Sequence, residues 1–360
     1  MGNAQKGRIT MAREEYHDLV NKRNQLKLRE LQKELPDFCK EFFIGIEQQT
    51  QSRTRIAYAY DLGIFFHFLH ETNPYCAKME IKDFPISILD QIRASDIEEY
   101  LSYLQYYVKD GKEYTNDERG LVRKLASLKS FYNYFFCKER IEKNPAALVK
   151  LPKRHDKNIT RFDVDEVVRF LDQVESGEKL SKKQQVYHEH TKVRDLAIMT
   201  LLLGTGIRVS ECVGLDIQDV DFQNNGIRVF RKGGAESVIY FGDEVEAALR
   251  EYMEERKLIE AMPGSTDALF LSMQKKRISV RSVENLVKKY SQSVTTLKHI
   301  TPHKLRSTYG TSLYRETGDI YLVADVLGHK DVNTTKKHYA ALEDERRRSA
   351  ADKVKLRKED

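Results

Sequence analysis

Thr301-Pro302-His303-Lys304-Leu305-Arg306, with its continuation through Leu327-Gly328-His329 to His338-Tyr339, decides how this chain is read. Thr301 can cap a helix, and Pro302 suits the first turn because it has no N–H to leave unbonded. His303 and Arg306, three residues apart on that helix, share a face and can reach one anion together. A phosphate near the helix start also gains from free backbone N–H groups. Gly318 ends this helix, and a second helical run, residues 320–327, stops at Gly328 with His329 directly behind it. Asn333-Thr334-Thr335 is then placed to cap a third helix carrying Tyr339. Each residue taken singly has an ordinary explanation, and Tyr339 is one of 19 tyrosines. The order of the set is what points to phosphate chemistry.

Working back from this stretch, Gly204-Thr205-Gly206 breaks an apolar helix (residues 195–203), and Ile207-Arg208-Val209-Ser210-Glu211 begins the next. Arg208 therefore sits at a helix start after a glycine break, where an anion can approach backbone N–H groups. Residues 226–231 alternate like a strand, Lys232-Gly233-Gly234 reads as a turn, and residues 237–241 form a second strand. The result is a β-hairpin with a lysine at its bend. The Arg231-Lys232-Gly233-Gly234 run lacks the spacing and following Ser/Thr of a P-loop, and residues 219–226 lack the glycine and closing glutamate of a calcium loop. Further helices are expected at residues 163–174, 243–258 and 282–291, with 175–191 a surface loop or helical insertion.

The first half of the chain reads as helical. Residues 54–66, 95–108 and 118–136 carry helical spacing, and residues 109–117 form a polar connector. Arg53 and Arg55 lie at the start of the first of these helices, and Arg123 and Lys124 lie in the third, beside an apolar stripe. Such a face is either solvated or lies on a DNA backbone. Residues 151–160, including Lys153 and Arg154, are basic and proline-marked and read as an interdomain linker. The expected organisation is a charged helical arm at 1–35 and a helical domain at 36–150. The linker at 151–160 then leads to a second domain at 161–345 and a charged tail at 346–360.

At 360 residues and 40% apolar composition, the chain can build two cores. The formal charge of +6 leans towards a nucleic-acid partner. No run approaches the roughly 20 apolar residues of a membrane span, and residues 1–13 lack the apolar core of a signal peptide, so a cytoplasmic protein is expected. Cys39, Cys76, Cys137 and Cys212 are widely spaced, which argues for buried thiols rather than a zinc site or a disulfide framework. Asp216, Asp219 and Asp221 read as turn and strand-entry residues rather than metal ligands.

Arg208, Lys232, His303, Arg306, His329 and Tyr339, in this order and in these motifs, resemble the tyrosine recombinases, also called the phage-integrase family. The matching motifs run from Gly204 to Glu211, with Arg231-Lys232-Gly233, His303-Lys304-Leu305-Arg306, Leu327-Gly328-His329 and His338-Tyr339. The similarity spans roughly residues 50–342. Within the family it is strongest to the single-protein type of Xer chromosome-resolution enzyme, through Arg194-Asp195-Leu196-Ala197-Ile198 and Arg231-Lys232-Gly233-Gly234. Two departures are Ser307, where many relatives carry histidine, and the longer 175–191 stretch. The resemblance implies a mainly α fold: a helical DNA-clamping domain, then a mostly helical catalytic domain with a small antiparallel β-sheet. It also implies a double-stranded DNA recombination site as partner, a homotetramer on two such sites and room for an accessory cell-division protein. No membrane partner is implied.

The residue types suit the chemistry. Charge develops on the nonbridging oxygens of a phosphodiester attacked in line, and Arg208 and Arg306 can hold those oxygens with charge-assisted donors. Tyr339 is the expected nucleophile, since a phenol ionises more readily than an aliphatic alcohol and its aryl ester is a good leaving group for rejoining. The resemblance implies acid–base work for His303, which can take the tyrosine proton or tune its neighbours. Lys232 can protonate the departing 5′ oxygen, His329 can hydrogen-bond the phosphate, and Glu211 supports the pocket. Arginine and lysine supply what a divalent ion otherwise would, so neither a metal nor a nucleotide cofactor is expected. Two other readings use the same residues less fully: an integrase or excisionase of a mobile element, and a non-catalytic helical DNA-binding regulator.

Overall fold

The computed structural model describes residues 19–151, 160–231, 235–329 and 332. The chain divides into two compact units between residues 157 and 158. The fold is mainly α, as expected, with two small antiparallel sheets where one was expected.

The first unit contains α1 (residues 19–32), α2 (Cys39–Gly45), α3 (Ser52–Thr72), α4 (Ile88–Gln91), α5 (Ala94–Tyr103), α6 (Glu118–Cys137) and α7 (Pro145–Leu148). On α3 the buried residues Ala59, Leu62, Phe66 and Leu69 recur every three or four positions, and on α6 Leu121, Leu125, Leu128, Tyr132 and Phe135 do the same. That spacing gives each helix one apolar stripe, and the stripes close on an aromatic core. Phe131 meets Phe42 and Phe135 edge-on, both at 5.1 Å between ring centroids. Asp117 caps α6 by accepting from the Gly120 N–H at 3.0 Å.

Three features differ from the sequence reading. Leu28 and Leu35 are buried in this core and Leu31 packs against it, so the described part of the expected charged arm lays one side on the unit while Leu19 and Leu26 stay exposed. The helix expected over 95–108 stops at Tyr103. Beyond it, β1 (Tyr106–Lys109) pairs antiparallel with β2 (Lys112–Thr115), where a polar connector was expected. Tyr106, Tyr107 and Val108 favour a strand, and Asp110 and Gly111 take the positive φ angles of 52° and 71° that a tight hairpin turn needs. Finally, Arg55 and Lys124 are interior residues rather than members of a solvent-facing basic stripe.

The second unit contains α8 (Val164–Ser176), α9 (Lys182–Glu189), α10 (Lys192–Thr205) and α11 (Val209–Gly214). It continues through the sheet β3 (Val220–Asp221), β4 (Gly226–Phe230), β5 (Glu236–Tyr240), then α12 (Asp243–Lys257), α13 (Val280–Ser291), α14 (Pro302–Thr317) and α15 (Ile320–Leu327). Helix α10 is the hub. Ala197 to Leu203 are all buried, and α8, α12 and α14 pack around it. A helix that is apolar on every side belongs at the centre of a domain.

The 175–191 stretch is a helical insertion held by a buried polar network. His188 on α9 is buried, with Nδ1 3.1 Å from the Tyr290 hydroxyl and Nε2 3.2 Å from the Glu175 carbonyl. Tyr290 donates to Asp195 at 2.8 Å, Lys289 donates to the Tyr290 oxygen at 2.7 Å, and Arg194 donates to Asp195 at 2.6 Å. Burial raises the Tyr290 hydroxyl far above its ordinary value and lowers the Lys289 ammonium, the latter against the pull of Asp195.

Candidate active site at the carbonyl end of a helix

Helix α10 stops because Gly206 takes the left-handed conformation, φ 63°. No other residue fits well: a Cβ there would lie 2.4 Å from the Tyr309 ring. The chain then turns into α11 with Arg208 as its N-cap. Glu211 accepts from the Arg208 backbone N–H and from its guanidinium Nη1, both at 2.8 Å. The carboxylate is almost wholly buried while the Arg208 side chain stays 36% exposed. Glu211 thus fixes the direction of a cation that still faces solvent.

On α14, Thr301 occupies the N-cap with extended backbone, but its side chain makes no capping hydrogen bond. The helix start falls where the sequence placed it, without the hydroxyl cap. Arg306 is buried, with Nη1 donating to the Gly206 carbonyl at 2.6 Å and Nη2 donating to the Leu327 carbonyl. His303, one turn earlier, is exposed, and its carbonyl accepts from the Ser307 hydroxyl at 3.0 Å.

Helix α15 is capped at its start by Asp319, which accepts from the Tyr321 and Leu322 N–H groups at 2.8 and 3.1 Å. It ends at Gly328, φ 60°, and His329 follows with its N–H on the Ala324 carbonyl at 2.9 Å. Three successive carbonyls at this end each receive a different arginine. Arg231 Nη2 donates to Val326 at 2.8 Å, Arg306 Nη2 to Leu327, and Arg208 Nη2 to Gly328 at 3.2 Å. The last carbonyls of a helix lack intrahelical partners and carry the negative end of its dipole. Here they gather three guanidinium groups that would otherwise repel one another, and the outcome is a concentrated positive site beside His329.

Sequence reasoning placed Arg208, Glu211, Arg306 and His329 here and missed the part played by Arg231. Burial lowers the Arg231 guanidinium below its ordinary value; Glu211 opposes this and Arg208 adds to it. Lys232, Tyr339, Lys153 and Arg154 lie outside the described residues. Among the described residues no cluster of three or more His, Cys, Asp or Glu side chains is suited to a metal ion. Asp216 is paired with Arg277, and Asp219 with Arg228 at 3.2 Å. Burial pushes the Cys212 thiol up to about 12.

In the first unit, Arg53 is exposed at the second residue of α3. Arg55 is buried and ion-paired with Glu47 at 2.9 Å. Arg123 forks onto the buried Asp61 carboxylate, both bonds 2.6 Å, and Ser127 adds a third at 2.7 Å. Lys124 is buried and donates to Asn116 at 2.6 Å. Arg55 and Lys124 are thus buried and engaged with partners of their own unit. Among the described residues no helix is long and apolar enough to cross a membrane.

The description "Phage integrase family" matches residues 160–346. The chain is 32% identical over 351 residues to "Tyrosine recombinase XerC" of Caldanaerobacter subterraneus subsp. tengcongensis, covering 94% of this chain and 92% of the relative. It is 29% identical over 294 residues to "Tyrosine recombinase XerD" of Staphylococcus epidermidis, covering 82% and 90%. Among solved structures, its fold is similar to XerH site-specific recombinase bound to palindromic difH substrate, with TM-score 0.61 at 22% identity, covering 83% of this chain and 78% of that one. It is also similar to a lambda integrase dimer bound to a COC′ core site, with TM-score 0.60 at 16% identity, covering 84% and 94%. The match of the family description over the second unit, together with full-length identity to a curated member, settles kinship: the chain belongs to the phage integrase family and is a tyrosine recombinase, an enzyme that cleaves and rejoins DNA strands.

Proposed function

We propose that this recombinase resolves chromosome dimers, cutting each strand through a covalent 3′-phosphotyrosyl bond. The observation that carries the chemistry is the convergence of Arg208 and Arg306 on adjacent carbonyls at the end of α15, next to His329. Donors held in place before substrate arrives stabilise developing charge without reorganising. The Tyr339 oxygen attacks the scissile phosphorus and gives up its proton, with His303 as the group that takes it. The bond from phosphorus to the 5′ oxygen breaks, and Lys232 protonates that oxygen. Arg208 and Arg306 hold the nonbridging oxygens, His329 donates to the phosphate, and Glu211 keeps Arg208 aimed. Rejoining is the same path reversed, with the phosphotyrosyl ester retaining the bond energy.

Residues 36–150 serve as the DNA-clamping domain and 151–160 as the linker to the catalytic domain at 161–345, with an arm at 1–35 and a tail at 346–360. Exposure favours Arg53 and the half-exposed Arg123 as backbone contacts; Lys153 and Arg154, outside the described residues, join them on the charge of the linker sequence alone. The working assembly is a homotetramer on two duplex sites in the cytoplasm, with an accessory cell-division protein as a further partner. The similarity to Xer enzymes supports chromosome resolution over integration of a mobile element. A nicked suicide substrate that traps the covalent complex tests the chemistry, and the chromosomal sequence protected by the purified protein tests the role. Protection of mobile-element ends alone would overturn it.

A further inference from the structure

Arg231, directly after β4, bonds both to the β5 side of the sheet and to α15. The Arg231 backbone N–H donates to the Ala235 carbonyl at 2.8 Å, one step beyond the Phe230–Glu236 pair of the β4–β5 ladder. The side chain of the same residue leaves the sheet and reaches α15, where Nη2 donates to the Val326 carbonyl at 2.8 Å. Its guanidinium lies against the backbone of Gly328 so closely that a Cβ on Gly328 would sit 1.9 Å from Nη1. Gly328 thus serves two ends, the left-handed helix stop and a seat for this side chain. Nη1 is buried and makes no hydrogen bond. The next residue in the chain is Lys232.

We propose that Arg231 is a positioning residue, tying the end of β4 to the carbonyl end of α15 and thereby setting where Lys232 meets the scissile phosphate. β3 pairs with the far end of β4, at Gly226 and Ile227, while Phe230 pairs with Glu236 on β5, so a side-chain tether at Arg231 adds a restraint just before Lys232. Arginine suits the task because its planar fork can donate to Val326 while its face rests on Gly328. A lysine offers one compact donor without that face. The inference rests on the reading of Lys232 as general acid, and it assigns Arg231 no contact with DNA.

The test compares wild type, Arg231→Ala, Arg231→Lys, Lys232→Ala and the Arg231→Ala/Lys232→Ala double variant. Each is run in single-turnover cleavage of normal DNA and of DNA with a 5′-bridging sulfur at the scissile phosphate. Sulfur departs as a thiolate without needing a proton. Arg231→Ala is expected to be about 10²-fold slower on normal DNA, the size of effect that a misplacement of about 1 Å produces. On the sulfur substrate it should recover to within a few-fold of wild type. The double variant should be no slower than Lys232→Ala alone. Backbone hydrogen exchange supplies a readout independent of chemistry: amides of β4 and β5 should exchange faster in Arg231→Ala and be unchanged in Lys232→Ala. If Arg231→Ala unfolds, Arg231→Lys carries the same comparison, with a smaller loss and the same rescue. Normal-speed cleavage by Arg231→Ala, or unchanged exchange in the hairpin, overturns the docking role. Equal slowing on both substrates while Lys232→Ala is rescued overturns it as well. If Lys232→Ala itself is equally slow on both substrates, the general-acid reading fails, and the exchange measurement still decides whether Arg231 docks the hairpin.

Discussion

The Arg306 guanidinium donates to the carbonyl oxygen of Gly206 at 2.6 Å, and Gly206 lies two residues before Arg208 in the chain. One of the two arginines proposed to hold the phosphate therefore braces the turn that presents the other. A second bond from Arg306 to Leu327 ties the same group to α15. The two arginines are not equivalent: Arg306 is buried and bonded to two backbone carbonyls, whereas Arg208 is part-exposed and anchored by Glu211.

Truncation should expose this difference. Both Arg208→Ala and Arg306→Ala are expected to slow single-turnover cleavage by about 10²–10³-fold, the cost of one preorganised oxyanion donor. Only Arg306→Ala should also cost stability, about 2–4 kcal/mol, because it leaves two carbonyls without their donors. Urea melts of both variants check this. An Arg306→Ala protein as stable as wild type would mean that the guanidinium–carbonyl bonds do not brace the turn.

Glu211 accepts from both the backbone and the side chain of Arg208. Glu211→Gln keeps an acceptor for the backbone N–H and loses the charge that orients the guanidinium. Cleavage should fall by roughly 10–10²-fold with DNA affinity nearly unchanged, a loss of alignment rather than of binding. Equal losses in affinity and cleavage rate would show that Glu211 shapes the DNA surface instead.

Much of this site was legible because its elements are punctuated by residues with only one comfortable place. Gly206, Gly318 and Gly328 each end a helix in the left-handed conformation, and Pro302 opens one. Once those boundaries are set, the helical period places Arg208, His303 and Arg306. Periodicity was silent on partners that lie far apart in the chain. Nothing local says that Arg231 will reach Val326, or that Lys124 will turn inward to Asn116. The β1–β2 hairpin was misread although Asp110-Gly111 between strand-forming residues is a turn signal, because the preceding helix pattern ran into it without a break.

Arg123, on the basic face of α6, also has a structural partner. Its fork onto Asp61 neutralises a carboxylate that is only 2% exposed. Arg123→Ala should therefore destabilise the first unit by about 3–5 kcal/mol, the cost of leaving a buried charge unpaired. Asp61→Ala should cost less, about 1–3 kcal/mol, since the freed guanidinium can reach water. Denaturant melts of the pair decide the point. If Arg123→Ala weakens DNA binding and leaves stability untouched, its bond to Asp61 is incidental and the residue acts as a DNA contact alone.

The last expectation concerns the nucleophile. Tyr339→Phe should bind DNA as wild type does and form no covalent adduct, since the aromatic ring is kept while the attacking oxygen is lost. Three other tyrosines on α14 and α15 are nearer to the arginines in sequence, and the structure argues against each. Tyr309 packs against Gly206, and burial raises its hydroxyl, which makes the phenolate harder to form. Tyr314 is 5% exposed and belongs to the small core with Val323 and Leu327. Tyr321 is well exposed, but it lies in the first turn of α15, opposite the end that gathers the guanidinium groups. Six residues of helix at about 1.5 Å rise each put it roughly 9 Å along the axis from Leu327. The measurement is retention of labelled DNA on the protein after boiling in detergent, using a nicked suicide substrate that prevents rejoining. Wild type should retain label and Tyr339→Phe should retain none. An adduct formed by Tyr339→Phe and lost in Tyr339→Phe/Tyr321→Phe would move the nucleophile to α15 and overturn the order of residues on which the mechanism rests.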